Sequence, residues 1–264
     1  MNISTFQVDA FTRKVFSGNP AAVCPLKEWL DDWIMQNIAR ENNLSDTAFL
    51  VPEGDGYAIR WFTPVAEVDL CGHATLAAAH IVFTEIEPAR TSVSFFSKSG
   101  PLAVKHQGDM LSMDFPSQPP EACEPPGELL EGLGIKPASI LKSSDYFVVF
   151  QNEEEILGLE PKMDLLKKVD LRGVIVTAPG RTSDFVSRFF APKIGIDEDP
   201  VTGSAHCALI PYWSNQLGKK NMFARQLSAR RGEIYCTFDS QRVIISGYAA
   251  TYLQGTIHID DLSA

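Results

Sequence analysis

The chain has 264 residues, 45% of them hydrophobic, and a formal net charge of −10, which gives no electrostatic footprint for a polyanion, so nucleic acid is not expected as a partner. No apolar run approaches the roughly 18 residues of a membrane span, and Met1-Asn2-Ile3-Ser4-Thr5 has neither a basic nor an apolar leader, so no membrane association and a cytoplasmic location are expected. The five cysteines, Cys24, Cys71, Cys123, Cys207 and Cys236, are scattered without a CxxC pair, a pattern that implies neither a disulfide framework nor a zinc site.

In chain order, residues 3–11 alternate as a strand does, and Ser17-Gly18-Asn19-Pro20 marks a turn before the apolar Ala21-Ala22-Val23. Residues 28–42 carry Trp29, Leu30, Trp33, Ile34 and Ile38 at helical spacing, with a stop near Asn42-Asn43. Strands are expected at 47–51, 57–63, 91–97, 101–106 and 110–115. Between them, 73–85 is apolar almost all round, which predicts a helix enclosed by other elements. Five prolines between Pro116 and Pro126 mark a linker near the midpoint. Beyond it, strands are expected at 146–150, 173–178 and 184–190, then a helix over 204–217, bent or shortened by Pro211 and stopped by Gly218. Strands at 233–238, 242–247 and 252–258 close the chain, and Arg225, Arg230 and Arg231 read as a solvated loop.

Two segments echo each other at half the chain length. Phe62-Thr63-Pro64 runs to Cys71-Gly72-His73-Ala74, and Phe190-Ala191-Pro192 runs to Thr202-Gly203-Ser204-Ala205. The echo predicts two similar halves, each opening a helix on a glycine, where free N–H groups attract an anion such as a carboxylate. No Walker loop, GxGxxG, His-Glu-x-x-His or Gly-x-Ser-x-Gly pattern is present, so catalysis is expected from ordinary acid–base side chains with no cofactor and no metal.

Three clusters are candidates for that chemistry. In Asn43-Leu44-Ser45-Asp46-Thr47, Asp46 is either a turn residue or a carboxyl among apolar neighbours, where burial suits it to proton transfer. In Asp69-Leu70-Cys71-Gly72-His73, His73 is either a satisfied histidine or an acid, base or donor at a helix start, and Cys71 either packs or serves as a thiolate. Asp197-Glu198-Asp199-Pro200-Val201-Thr202-Gly203-Ser204 works as a helix cap, yet capping alone does not account for its echo of the first half.

Six ordered motifs resemble the PhzF-like family of phenazine biosynthesis, whose fold is that of diaminopimelate epimerase: Phe6–Thr12, Gly18–Val23, Asn43–Phe49, Arg60–Pro64, Cys71–Thr75 and Glu198–Ala205. The resemblance covers essentially the whole chain. It implies an α+β fold of two pseudo-symmetric half-barrels, each a mixed sheet around a central helix, with the site between them and usually a homodimer. The domains are expected at 1–117 and 118–264, the extreme C-terminus being free to pack back onto the first. The family's best-understood chemistry is cofactor-free isomerisation of a dihydro-hydroxyanthranilate by proton transfer between carbons. By motif, the shuttle is Asp46, assisted by His73, Asp199 and Ser204; Gly72 and Gly203, with Ala74 and Thr202, would bind the substrate carboxylate.

The shuttle is usually Glu in the family, and here it is one methylene shorter. The expected function is isomerisation of a small cyclic or unsaturated carboxylic acid. The alternatives are a non-catalytic metabolite-binding or protein-interaction member of the fold, and a thiol-dependent racemase or epimerase. For a racemase, Cys71 stands in the first thiol position, but no cysteine near Asp199-Pro200 supplies the second.

Overall fold

The computed structural model describes residues 1–260, and the chain divides into two units: Met1–Asp114 with the segment that begins at Ser246, and Phe115–Ile245.

In the first unit the chain forms β1 (Asn2–Ala10), β2 (Asn19–Pro25), α1 (Asp32–Asn42), β3 (Asp46–Glu53), β4 (Gly56–Phe62), β5 (Glu67–Val68), α2 (Gly72–Ile81), β6 (Ser92–Ser97) and β7 (Gly100–Gln107), followed by β8 (Met110–Pro116). Starting at β1, the pairings of β1–β2, β2–β3, β3–β4, β4–β6 and β6–β7 run antiparallel, parallel, antiparallel, parallel, antiparallel. A parallel step needs a crossover long enough to reverse the chain twice. Helix α1 supplies the first crossover and α2 the second.

The second unit contains β9 (Glu121–Ala122), α3 (Gly127–Leu133), β10 (Ser139–Lys142), β11 (Tyr146–Val149), α4 (Glu153–Leu157), α5 (Met163–Leu166), β12 (Val174–Pro179), β13 (Phe185–Phe190), α6 (His206–Leu217), β14 (Asn221–Gln226) and β15 (Gly232–Asp239). Its pairings β10–β11, β11–β12, β12–β13, β13–β14 and β14–β15 run antiparallel, parallel, antiparallel, parallel, antiparallel. The order is that of the first unit, with α4 and α5 in the place of α1 and α6 in the place of α2. Two last strands follow, β16 (Arg242–Gly247) and β17 (Ala249–His258). β17 pairs antiparallel with β1 from Ala10↔Ala249 to Asn2↔His258, shifting register between Gln7 and Val8.

Helix α2 lacks a polar stripe because its surroundings leave no room for one. Ala74, Leu76, Ala77, Ala78, Ala79 and Ile81 are fully buried, and the helix packs on β1, β2, β3 and β17. Burial of a Leu or Ile side chain contributes roughly 1.5–3 kcal/mol, so this helix is held by its enclosure. Helix α1 is amphipathic: Ile34, Met35, Ile38 and Ala39 pack with Ile3, Cys24, Phe49 and Phe62. In the second unit Leu129, Ile156 and Leu166, from α3, α4 and α5, pack with Val148, Val174, Val176 and Val186.

Several expectations change in detail. Helix α1 begins at Asp32 rather than residue 28, leaving Trp29 partly exposed. The proline-rich linker contains β9 and leads directly into α3. Helix α6 begins at His206, after a turn over 203–205. Pro211 stays inside α6 without ending it: the carbonyl of Cys207, deprived of a helical N–H partner, accepts one from Gln118 at 2.9 Å. Arg225 sits in β14, not in a loop, with its guanidinium 3.5 Å from Glu233.

Candidate active site

Asp46 is placed by the end of α1. Asn43 caps that helix in the left-handed conformation (φ 47°), its N–H donating to the carbonyl of Ala39, and Asn42 Nδ2 donates to Thr47 Oγ1 at 3.1 Å. The chain thereby enters β3 at Asp46, which is 7% exposed. His73 comes from the first turn of α2 and is 6% exposed. Its Nε2 lies 3.6 Å from Asp46 Oδ2, and its Nδ1 lies 3.4 Å from Cys71 Sγ.

Burial lowers the His73 pKa to about 3, so the imidazole is neutral near pH 7 and the contact with Asp46 is not an ion pair despite its length. The tautomer that gives each ring nitrogen a partner has the Cys71 thiol donating to Nδ1 and Nε2–H facing Asp46. Cys71, His73 and Asp46 thus form a buried row of exchangeable protons. Their donor atoms lie within 4.8 Å of one another, and a cysteine, a histidine and a carboxylate are also a ligand set that a zinc-like ion accepts.

The backbone beside this row is free. The first α2 bond runs from Thr75 N–H to Cys71 O at 3.1 Å, leaving the N–H groups of Gly72, His73 and Ala74 without an acceptor among the described residues. The second unit repeats the feature. His206 N–H donates to Gly203 O and Cys207 N–H to Ser204 O, while the N–H groups of Gly203, Ser204 and Ala205 have no acceptor among the described residues. Each helix start therefore offers three donors to an anion.

Asp199 and Thr202 are locked into the turn before α6. Thr202 Oγ1 donates to Asp199 Oδ2 at 2.6 Å, and the buried Gln226 donates from Nε2 to Asp199 O and to Thr202 Oγ1 while its Oε1 accepts from Thr202 N–H. Arg188 adds a two-pronged bond to Glu198. Ser204 is exposed, and its Oγ accepts from Arg172 Nη2 at 3.1 Å. Arg172 is itself gripped by the buried Asp145, through Nε at 3.0 Å and Nη2 at 2.6 Å.

The structure thus brings Asp46 together with His73 in the first unit, and Asp199 together with Thr202 beside Ser204 in the second. Arg172, Asp145, Gln226 and Arg188 were not singled out from the sequence, because only the pairing of β11 with β12 and of β13 with β14 brings them to the turn. Cys207 lies inside α6, and burial pushes its thiol up to about 11, so it is no candidate for a second reactive thiol. The 360 Å³ depression bounded by Trp29, Arg60, Trp61 and Glu67 does not include the Asp46–His73 row. There Arg60 is already closed by bonds to Asp32 and Glu67.

Each unit has the same mixed pairing order and a helix start with free donors, in an α+β fold. Solved structures share it: a hydroxyproline epimerase from Agrobacterium vitis superposes with a TM-score of 0.63 over 99% of this chain and 94% of its own, at 11% identity. At higher identity, a PhzF-family crystal structure from Enterococcus faecalis gives 0.96 at 47%, covering 98% of this chain and all of that one. A family model described as phenazine biosynthesis-like protein matches residues 8–255, and the chain belongs to that family. An uncharacterized isomerase of Pseudomonas aeruginosa is 52% identical over 98% of this chain and all of its own, and a human phenazine biosynthesis-like domain-containing protein is 37% identical over 97% and 99%. The protein is an enzyme of the isomerase class.

Proposed function

We propose that this isomerase moves a proton between two carbons of a small cyclic or unsaturated carboxylic acid, without a cofactor, in the cytoplasm and as a homodimer. The observation that carries the reading is the buried Asp46–His73 pair beside three free backbone donors. Asp46 takes a proton from one carbon and returns it to another, and neutral His73 holds or relays it through Nε2. Negative charge that develops on a substrate beside this row is met by the N–H groups of Gly72 and Ala74, fixed in advance by the backbone, and in the second unit Gly203 offers an N–H to an anion of its own. Within the second unit Thr202 orients Asp199 beside Ser204.

A binding-only member of the fold is the second reading, favoured by the short arm of Asp46, since a displacement of about 1 Å at a reacting group can cost on the order of 10²-fold in rate. Incubation of a panel of cyclic and unsaturated acids in D₂O, followed by NMR and paired with thermal-shift measurements, separates the two. Deuterium appearing at a substrate carbon is the expected result. Thermal stabilisation by carboxylates with no exchange at any carbon would establish the binder instead.

A further inference from the structure

The proton row of the first unit is also a set of metal ligands. Among the described residues, Asp46, Cys71 and His73 are the one group of three His, Cys, Asp or Glu side chains whose ligand atoms all lie within 4.8 Å of one another. Two separate elements hold them. Asp46 is fixed where β3 pairs with Ala21 of β2. Cys71 stands just ahead of α2 with an extended backbone (φ −141°, ψ 107°), and its carbonyl takes both the N–H and the hydroxyl of Thr75. A thiol and an imidazole two residues apart thereby reach the same carboxylate.

We propose that Asp46, Cys71 and His73 form an inhibitory site for a zinc-class divalent cation, with Cys71 Sγ, His73 Nε2 and one Asp46 oxygen as ligands and the fourth position open to water. Binding is a property of these three side chains alone. The inhibition rests on the proposed isomerase reading, because the ion occupies Asp46 and His73 Nε2, the two groups through which the proton would pass.

A tetrahedral zinc, with bonds of about 2.3 Å to sulfur and about 2.0 Å to nitrogen and oxygen, sets its ligand atoms about 3.3–3.6 Å apart. Here Sγ and Nε2 are 4.0 Å apart, and Nε2 and Asp46 Oδ2 3.6 Å; rotation of the Cys71 and Asp46 side chains closes the difference. A borderline-soft ion accepts sulfur, nitrogen and oxygen together, whereas calcium and magnesium require oxygen shells. On binding, the thiol proton leaves to solvent and the ring proton passes from Nε2 to Nδ1, so one proton is released per ion. Thiolate and carboxylate then cancel the charge of the cation, which is what a nearly closed site demands: the three residues are 8%, 7% and 6% exposed for Cys71, Asp46 and His73. The second unit offers no counterpart, since Thr202-Gly203-Ser204 stands at the echo of Cys71-Gly72-His73 and supplies neither thiol nor imidazole.

The test titrates the untagged full chain with Zn²⁺ against a chromophoric chelator of micromolar affinity, and with Co²⁺ as a spectroscopic probe. The wild type is expected to take up one ion per chain and to give a thiolate-to-cobalt charge-transfer band with the strong visible bands of four-coordinate cobalt. Cys71→Ser should lose that band and bind zinc about 100-fold or more weakly, since even losses outside the ligand sphere cost about 10–100-fold. Asp46→Asn and His73→Gln should also weaken zinc binding, and Cys123→Ser, at the cysteine that is not buried, should leave it unchanged. Deuterium exchange into substrate should stop at one zinc per chain and return with EDTA. No zinc uptake against the chelator, a wild-type cobalt spectrum without the thiolate band, or a Cys71→Ser protein that binds as the wild type does would overturn the site. The cobalt spectrum is read on the wild type, so it decides even where a variant does not fold. Zinc bound with exchange continuing at the same rate would overturn the inhibition. A wild type that takes up the ion as expected yet exchanges no deuterium with or without it would instead remove the isomerase reading and leave the metal site standing.

Discussion

Burial lowers the pKa of three histidines, His73, His80 and His206, and so shapes how the protein responds to acid; His73 and His206 are the two most deeply buried of them. Desolvation lowers the His73 pKa to about 3; for His206 it lowers the value to about 4, although a bond to Thr202 O pulls the other way. Both folded values lie below the ordinary 6.5, so the unfolded chain takes up protons first as the pH drops. The stability tied to these groups is complete above about pH 6.5 and is lost as the pH falls from there through 4 and 3, at up to about 1.4 kcal/mol per pH unit for each group. Urea unfolding midpoints should therefore fall between about pH 7 and pH 5, less steeply in His206→Gln. A flat profile would show that these rings are solvated.

Among the elements, the second hairpin shows most sharply how packing fixes chemistry. Because a Cβ on Gly173 would press on the Phe190 carbonyl, Gly173→Ala is expected to cost about 1–3 kcal/mol, in the range of overpacking, measured by urea denaturation. A neutral substitution would mean that β12 and β13 separate easily. The apolar run of α2, the alternating strands and the Gly218 stop were legible in the sequence because each is a local pattern. Asp46 and His73 were legible as motifs, although their 3.6 Å approach was not. Residues such as Arg172 and Asp145 stand 27 positions apart and meet only through the parallel pairing of β11 with β12, a non-local event that no spacing rule encodes. β14 was overlooked because Asn221–Gln226 mixes polar residues with partly exposed ones, giving no clear period-two signal.

For the whole molecule, one pairing plan occurs twice, and the proposed function gives the two copies different roles. Both units keep the same five-step pairing order and three free donors at a helix start. The first adds a carboxyl, an imidazole and a thiol in a buried row, which can move a proton. The second adds an arginine-held hydroxyl, Ser204, and a locked Asp199–Thr202 turn. No helix of the described residues is long and apolar enough to cross a membrane.

The most direct test of that division measures deuterium incorporation and carboxylate binding together in Asp46→Asn and Ser204→Ala. Asp46→Asn keeps the shape and loses the titrating group, so exchange should fall by about 10²–10⁴-fold with binding retained, whereas Ser204→Ala should weaken binding first. An Asp46→Asn protein that exchanges at the wild-type rate would contradict the account.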